Sequence, residues 1–360
     1  MSRSEEEVLD AIERRRRRPH VKLMDKQITL AHGAGGKSSH TLVETLFVRE
    51  FANPELAALG DSAILSPGPG SARLAFSTDA SVVKPLFFPG GDIGELAVNG
   101  TVNDLAMAGA RPLWLSASFI LEEGLATAEL TRVVQSMAAA ARRAGVVIAT
   151  GDTKVVERGK ADGLYIATAG VGLLERDIEL TPARVRPGDR VIVSGSIGDH
   201  GMAIMIARGG LELETDLESD TAPLHELTAA LLDATGEVRW LRDPTRGGVA
   251  TVLTELALAA ELGVVLDEAA LPIRDEVNGA CEILGIDPLY VANEGKLVAV
   301  VGPDGVDAAL AALRAQPLGR EAAVIGTVHA DPPGMVLLET SFGGSRVVDM
   351  LAGDPLPRIC

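Results

Sequence analysis

The alternation of short strand-like runs with longer helical runs is the feature that most constrains how this chain can fold. Apolar runs such as RLAFSTD, GVVIATGD and LYIATAGVGLL have the length and β-branched content of strands. The stretch LATAELTRVVQSMAAAARRAG, between the first two, repeats its apolar residues at helical spacing. With 360 residues, the chain is long enough to bury two hydrophobic cores. The sequence therefore predicts an α/β protein of two domains.

Proline and glycine residues mark where the first domain ends. Pro182, Pro187 and Gly188 interrupt the pattern, and a new strand-like run, DRVIVSG, follows them. The N-terminal stretch carries five consecutive arginines, which is typical of a solvated, mobile arm. We predict a charged arm over residues 1–25, an N-terminal domain over 26–182, a C-terminal α/β domain over 183–335, and a C-terminal segment over 336–360.

Charge and hydropathy exclude several classes of partner. The net charge of −17 disfavours nucleic acids and anionic membranes. The longest apolar stretch, TVLTELALAAELGVVL, is interrupted by two glutamates, and the N-terminus lacks the apolar region of a secretory signal. The two cysteines, Cys281 and Cys360, are too few for a disulfide framework. We expect no nucleic acid or membrane partner, a cytoplasmic location and reduced thiols.

The glycine-rich stretch AHGAGGKSSH is similar to a phosphate-binding loop without matching its pattern. A Walker A motif needs glycine at the position of Ala31. The dinucleotide pattern fails as well, because Ser38 stands at the third glycine position. A flexible loop that carries Lys37 remains, and a plain turn fits the residues equally well.

Carboxylates recur at the ends of the predicted strands and in the loops. Asp79 ends the run LAFSTD, Asp104 lies in GTVNDLAMAG, and Asp152 follows VVIATG. Magnesium prefers hard oxygen ligands and commonly shares them with nucleotide phosphates, so the set favours an Mg-ATP site. Any one of them alone is as well explained as a helix cap or turn residue.

Lysine and histidine positions add candidates. The chain has seven lysines against 26 arginines, and Lys37, Lys154 and Lys296 all lie in glycine-bearing motifs. Unlike a guanidinium, an ammonium group can shift its pKa and lose a proton. His200 in SIGDHG is a candidate for phosphate contact, although an ordinary loop histidine fits equally well, and Cys281 fits a small core residue.

Taken together, several long motifs resemble one family. The motifs are HGAGGK, PLFFPGGDIGELAVNGTVNDLAMAGARPLWLS, TGDTKVV, SGSIGDHGMAIM, LRDPTRGGVAT, DPLYVANEGKL and LPRIC. They are similar to the HypE family of hydrogenase maturation factors, and the resemblance covers residues 26–360. The resemblance implies the fold of the aminoimidazole ribonucleotide synthetase group. This fold has an α+β N-terminal domain, whose sheet pairs with its mate in a homodimer, and an α/β C-terminal domain.

The resemblance also implies a reaction. In that family the carbamoyltransferase HypF loads a carbamoyl group onto the terminal cysteine, which is Cys360 here. The protein then uses ATP to dehydrate the thiocarboxamide to a thiocyanate. Cyanide passes to iron on the HypC–HypD complex, for the active site of nickel-iron hydrogenase.

Site residues follow from the same resemblance, position by position. Acidic residues of the family that hold Mg²⁺ and the phosphates of ATP correspond to Asp61, Asp79, Asp104, Asp152 and Asp243. The glycine-loop lysine, expected near the transferred phosphate, corresponds to Lys37. Lys154 and Glu294 match residues that assist deprotonation of the carboxamide nitrogen, and Cys360 matches the residue that carries the reacting group.

Two alternatives stay open at this level. One is another ATP-using enzyme of the same superfamily, a selenophosphate synthetase or small-molecule kinase, which needs no terminal cysteine. Selenophosphate synthetases tend to carry cysteine or selenocysteine in the glycine loop, and HGAGGK has neither. The other is a non-catalytic, ATP-gated carrier that presents Cys360.

The composition of the last residues predicts a tail that moves in and out of the site. Gly343, Gly344 and Gly353 permit hinging, whereas Pro355 and Pro357 favour an extended end. We expect such a tail to take its tip to an outside donor and to return it to its own ATP site. Arg358 is placed to pair with phosphate or with acidic groups on entry.

Overall fold

A computed structural model describes residues 27–66, 68, 71–209, 215–351, 353, 356 and 358–360. The predicted arm over 1–25 lies outside the described residues, as do Pro355 and Pro357. Within the described part of the chain, no helix is both long and apolar enough to cross a bilayer. The structure confirms the α/β class, since it contains two mixed sheets with helices packed on them.

A short helical segment precedes the first sheet. It consists of a 3₁₀ turn at Leu30–Gly33, α1 (Lys37–Leu42), a π-helical turn at Val43–Phe47, α2 (Val48–Phe51) and α3 (Pro54–Ala57). The glycine-rich stretch is therefore a loop that leads into a helix, and Lys37 is the first residue of α1.

The first sheet is built from strands β1 (Ala63–Leu65), β2 (Arg73–Ser81), β5 (Arg111–Glu122), β6 (Val147–Val156) and β7 (Leu164–Leu174). Their order is β1-β2-β7-β5-β6, and only β5 and β6 run parallel. A small hairpin of β3 (Phe87–Phe88) and β4 (Gly91–Asp92) follows β2. Helices α4 (Ile93–Met107) and α5 (Thr127–Arg143) pack against each other, α4 on β2, β5 and β7 and α5 on β6.

The two faces of this sheet have different environments. Side chains that alternate along β2, such as Ala75 and Ser77, are buried toward the helices. On the opposite side, which we call the outer face, large apolar side chains are open to solvent: Phe76 is 43% exposed, Trp114 52% and Ile120 42%. An open apolar surface of this kind indicates an interaction face.

The second sheet has seven strands. They are β8 (Arg190–Val193), β9 (Val238–Arg242), β10 (Gly263–Asp267), β11 (Val298–Val301), β12 (Ala323–His329), β13 (Val336–Glu339) and β14 (Ser345–Val348). Their order is β14-β13-β10-β12-β8-β11-β9, and only the β10–β13 pair is parallel. The segment 336–360 thus begins with two strands of this sheet.

Helices cover the second sheet on both faces. They are α7 (His225–Ala234), α8 (Gly248–Ala260) and α10 (Val306–Arg314). The remaining two helices, α6 (Asp199–Ala207) and α9 (Asp275–Leu284), pack against each other and against the first half of the chain. Turns of 3₁₀ helix lie at Pro182–Arg184, Glu268–Ala270, Pro288–Tyr290, Pro303–Gly305 and Pro317–Gly319. Central strands β8 and β11 contact α8 on one face and α7 and α10 on the other. This explains why RVIV and VAVV are unbroken apolar runs instead of alternating ones.

The two halves of the chain share a hydrophobic core. One cluster joins α4 and α5 of the first half to α6 and α9 of the second, and it includes Leu356 and Ile359 of the tail. Cys281 lies in this cluster at 2% exposure, as predicted for a small core residue. The last residues of the chain are therefore packed between the two halves. The predicted boundary near residue 183 falls between the last strand of the first sheet and the first strand of the second.

Candidate active site

Three carboxylates from distant parts of the chain meet where the two halves join. Asp61 precedes β1, Asp104 lies on α4, and Asp243 directly follows β9. One carboxylate oxygen of each lies within 4.8 Å of the others. Asp243 is buried, and the other two are partly buried. We call this set the acidic cluster.

Hydrogen bonds hold the acidic cluster in place. The Ser77 hydroxyl lies 2.5 Å from Oδ2 of Asp104 and 2.9 Å from the main-chain oxygen of Asp61. Ser77 lies on the helix-facing side of β2, so the sheet itself orients Asp104. Arg242 Nη1 lies 2.7 Å from Asp61 Oδ1 and offsets part of the negative charge.

Electrostatics indicates what this cluster is built to bind. Burial raises the pKa of Asp243 to about 8, and the charge of Asp61 adds to the rise. Burial raises the pKa of Asp61 to about 6, against the guanidinium of Arg242. Burial and the charge of Asp243 also raise the pKa of Asp104 well above its usual value. Carboxylates held this close repel one another, and a hard divalent cation relieves that repulsion. The donor set therefore fits Mg²⁺.

Asp79 lies beside this cluster. It points from β2 toward α4, where a Cβ on Gly100 would collide with its carboxylate. Ala80 N donates to its Oδ1 at 2.7 Å. The charge of Asp79 contributes to the raised pKa values of Asp104 and Glu294, so it belongs to the same electrostatic neighbourhood.

The Cys360 thiol is docked in the same region. Arg246 Nε lies 2.8 Å from its Sγ, and Arg246 Nη2 donates to its main-chain oxygen at 2.9 Å. Val82, just after β2, donates its N–H to the same oxygen at 3.1 Å. Burial raises the pKa of the Cys360 thiol to about 12 even though Arg246 opposes the rise. Because the thiolate is the nucleophile, burial disfavours the reactive form of the docked thiol.

Arg246 is a site residue that the sequence analysis missed. It lies three residues after Asp243 in LRDPTRGGVAT, and that motif yielded only the aspartate. Besides the thiol, it donates from Nη1 to the main-chain oxygen of Gly33 in the glycine loop. One guanidinium thus joins the loop, the tail and the second half of the chain. Its position in the same motif as a candidate metal ligand was the available signal.

Glu294 is buried beside the acidic cluster. Its N–H donates to Asp220 Oδ1 at 3.0 Å, and Asn103 Nδ2 donates to its carbonyl at 3.1 Å. Lys296 Nζ pairs with Asp220 Oδ2 at 2.9 Å, so this lysine supports the site and does not face it as a free base. Burial, with the charges of Asp79 and Asp243, raises the pKa of Glu294 well above its usual value.

Asp152 and Lys154 are not brought to this cluster within one chain. They pair with each other at 2.6 Å and are exposed. On β6, Asp152 lies opposite Ser118 of β5. The same cross-strand row continues through β7 and ends at Ala80 of β2, on the outer face. Three strand spacings, about 14 Å, and the thickness of the sheet therefore separate Asp152 from the neighbourhood of Asp79.

Lys37 contacts the start of the tail. Its Nζ lies 2.5 Å from Asp349 Oδ2, and its main-chain N–H donates to Leu351 O at 2.8 Å. Both charged side chains are more than half exposed, so the ion pair contributes little to stability. The predicted mobile tail carries a further ion pair, between Arg358 and Asp162.

Comparison with known proteins identifies the class of protein first. Residues 59–174 match the family described as AIR synthase related protein, N-terminal domain, and residues 186–338 match its C-terminal domain. The chain is therefore a two-domain protein of the AIR synthase-related class, in agreement with the fold.

The particular family follows from closer relatives. The carbamoyl dehydratase HypE of Cupriavidus necator is 55% identical over 334 residues, which is 93% of this chain and 95% of that protein. A HypE solved in complex with ATP is 49% identical with a TM-score of 0.77, covering 93% of this chain and 100% of that one. A HypE–HypF complex gives 45% identity and a TM-score of 0.81, covering 86% of this chain and 99% of that one. The chain belongs to the HypE family of carbamoyl dehydratases.

The first prediction concerns the strain in the acidic cluster. An aspartate whose pKa is raised on folding destabilises the fold when ionised, and for Asp243 this penalty is absent below about pH 4 and complete above about pH 8. We expect Asp243→Asn, measured in chelator at a pH above that range, to increase the free energy of unfolding by about 1–2 kcal/mol. It should weaken Mg-ATP binding at least about tenfold in calorimetry. Asp233→Asn, which changes an exposed partner of Arg176, should do neither. Destabilisation by Asp243→Asn would contradict this account.

The second prediction concerns the loop that holds Glu294. A Cβ on Gly295 would overlap the main-chain oxygen of Asp220, whereas a Cβ on Gly279 in α9 would meet open space. We expect Gly295→Ala to lower the free energy of unfolding by about 3 kcal/mol or more, because backbone must move to admit it. Gly279→Ala should be neutral or stabilise by up to about 1 kcal/mol. Denaturant unfolding of both variants measures the difference, and equal stabilities would refute the close packing of the loop.

Proposed function

We propose that this chain catalyses the ATP-dependent dehydration of a carbamoyl group on the sulfur of its own Cys360 to S-cyanide. The observation that carries the proposal is the position of the tail: the chain inserts its own thiol beside Arg246, with Asp79 and Glu294 in the same electrostatic neighbourhood. The thiol and the acidic cluster belong to the same molecule, so the thiol is a substrate that is covalently attached to its own enzyme. The family to which the chain belongs supports the same reaction.

The chemistry balances in two steps. The carbonyl oxygen of the S-carbamoyl group attacks the γ-phosphorus of ATP, ADP leaves, and one N–H proton is removed to give an imidate phosphate. Loss of the second N–H proton then breaks the C–O bond, releases inorganic phosphate and forms the nitrile. Phosphorylation is required because an amide oxygen is otherwise a poor leaving group. We propose Glu294 as the base that accepts a proton from the nitrogen, because burial makes its carboxylate a stronger base than an exposed glutamate.

The cofactors are ATP and Mg²⁺. We propose that Asp61, Asp79, Asp104 and Asp243 hold the cation and, through it, the nucleotide phosphates; their oxygen donors and mutual repulsion support this. When bound, the cation supplies positive charge that offsets charge on the transferred phosphoryl group. The HypE solved with ATP supports a nucleotide site. For Lys37 we propose a position near the transferred phosphate, which its exposed ammonium group at the start of α1, directly after the glycine loop, supports.

A second copy of the chain explains the placement of Asp152 and Lys154. We propose a homodimer that forms through the outer face, where Phe76, Trp114 and Ile120 are exposed. Asp152 and Lys154 lie on that face, so they can contribute to an acidic cluster only when it belongs to the partner chain. Lys154 would then assist proton removal at the partner's thiocarboxamide, and Asp152 would join the partner's metal and phosphate site.

The external partners follow from the same reaction. We propose that a HypF carbamoyltransferase loads Cys360 and that a HypC–HypD complex accepts the cyanide for nickel-iron hydrogenase. The HypE–HypF complex among the similar structures supports the first of these. Both described cysteines are free thiols, which suits a reducing, cytoplasmic setting.

The third prediction tests whether the site is shared between chains. Lys154→Ala and Asp243→Asn proteins should each be inactive, but their mixture should recover about one quarter of wild-type activity. Random exchange makes half of the dimers mixed, and each mixed dimer has one site with both residues intact. As a matched control, Asp243→Asn mixed with Cys360→Ala should stay inactive, because both residues belong to the same chain's half of the site. A Lys154→Ala mixture without recovery would show that each site lies within one chain.

The fourth prediction tests the acceptor. Cys360→Ala should stay folded and bind Mg-ATP but gain no carbamoyl mass when incubated with HypF and its carbamoyl donor. Cys281→Ala, which removes a thiol whose pKa burial raises to about 11, should be loaded as well as the wild type. Intact-mass spectrometry gives both results, and a carbamoyl adduct on Cys360→Ala would move the acceptor elsewhere. Phosphate release in a single turnover separates an enzyme from a passive carrier, because a carrier releases none.

A further inference from the structure

We propose that His200 is a docking residue of the tail, which it holds by donating a hydrogen bond from its Nε2 to the carbonyl of Ile359, immediately before the reacting cysteine. It is a positioning residue that acts on the reaction through the tail. The inference rests on the proposed function for its catalytic consequence, but the docking itself can be measured separately. His200 lies on α6 in the motif SIGDHG.

The hydrogen bonds around His200 fix its tautomer. Nε2 lies 2.7 Å from Ile359 O, which can only accept, so Nε2 must carry the hydrogen. The ring is fully buried, and burial lowers the pKa of His200, which keeps the imidazole neutral. Nδ1 must then accept, and Ser219 Oγ lies 2.7 Å from it. Thr221 N–H in turn donates to Ser219 Oγ at 3.2 Å. The result is a directed chain from Thr221 through Ser219 and His200 to the tail.

The ring is held rigidly as well as oriented. Phe88 packs on it edge to face, with ring centroids 5.8 Å apart. Ser219 is fixed by its own N–H, which donates to Pro89 O at 2.8 Å. The donor therefore stays in place whether or not the tail is docked, so docking orders few groups besides the tail itself. The Ile359 side chain is buried in the shared core, which adds an apolar anchor at the same residue.

The same loop also places the proposed base. Asp220, between Ser219 and Thr221, accepts from the N–H of Glu294 and pairs with Lys296. Residues 219–221 thus fix both His200, which donates to the tail, and the main chain of Glu294, the proposed base. This arrangement sets the distance between Cys360 and Glu294 through a short, buried path. In this way His200 acquires a role in holding the tail, and Lys296 acquires a role in holding Asp220.

Alkylation of Cys360 by iodoacetamide measures docking without requiring any activity. The reagent reacts with the released thiol, so its rate follows the released fraction of the tail. With Mg-ATP absent, we expect His200→Ala to speed Cys360 alkylation by about three- to tenfold, as for the loss of one hydrogen bond. His200→Gln, whose amide can still donate, should give a smaller increase, and so should Ser219→Ala. Peptide mapping reports each cysteine separately.

Cys281 serves as an internal reference, because it is buried in the same core as Ile359. A general loosening of the fold would speed alkylation of both cysteines, whereas release of the tail affects Cys360 alone. His225→Ala changes a partly buried histidine on α7 and should leave both rates unchanged. Unchanged Cys360 alkylation in His200→Ala and Ser219→Ala, or an equal rise at Cys281, would overturn the proposal. If His200→Ala does not fold, His200→Gln and Ser219→Ala still decide it.

Single-turnover dehydration then tests the catalytic consequence. Protein already carbamoylated on Cys360 should lose water more slowly in His200→Ala than in the wild type, because the loss of the hydrogen bond lowers both the docked fraction and the alignment of the docked tail, while loading by HypF should not slow. A wild type that fails to dehydrate would refute the proposed function and leave the alkylation result standing. Normal dehydration in a variant with faster Cys360 alkylation would refute the positioning role alone.

Discussion

The rest of the site depends on the mutual repulsion of carboxylates held together by the packing of the two halves of the chain. Asp61 and Asp104 come from the first half and Asp243 from the second, so the acidic cluster exists only when the halves are in contact. Burial and like charge raise all three pKa values, which is unfavourable for the protein alone and favourable for binding a cation. The shared apolar core provides the stability that offsets this strain. Binding and folding are thus coupled at this junction.

The first sheet separates two sets of residues that we propose act on the same group. Its helix-facing side contributes Ser77 and Asp79 to the site, and its outer face carries Asp152 and Lys154. A sheet cannot present both sets to one ligand, because alternate side chains point in opposite directions. The homodimer that we propose through the outer face would resolve the conflict and would also cover the exposed aromatic side chains. In that proposal the oligomer is a requirement of the chemistry and not only of stability.

The tail has two functions that oppose each other. In the proposed reaction, Cys360 must reach another protein with its thiol ionised when it acts as an acceptor. When it acts as a substrate, it must lie in a site whose burial raises the pKa of the thiol and so suppresses ionisation. Docking therefore protects the thiol and release activates it, so the balance between the two positions is a controlling quantity. Arg246 holds the tip and His200 holds the preceding carbonyl, while Lys37 and the glycine loop contact the start of the tail. Each of these polar contacts contributes only modestly to stability, which suits a segment that has to leave and return.

Local pattern was enough to predict the α/β class and the residue types of the candidate site. Of the three carboxylates that it assigned to strand ends and loops, only Asp104 lies in the acidic cluster, and Asp79 and Asp152 lie within β2 and β6 instead of at their ends. Asp61 and Asp243 came from the resemblance to the family. The sequence could not determine which of them meet. From the sequence, Asp79 and Asp152 looked equivalent, since both were predicted at strand ends. Strand order and register instead place them on opposite faces of the sheet and three strand spacings, about 14 Å, apart. The contacts that Arg246 and His200 make with the tail could not be predicted from local pattern, because the tail is more than 100 residues away along the chain. Only the tertiary structure decides such contacts, because they depend on how the two halves pack and not on any local spacing.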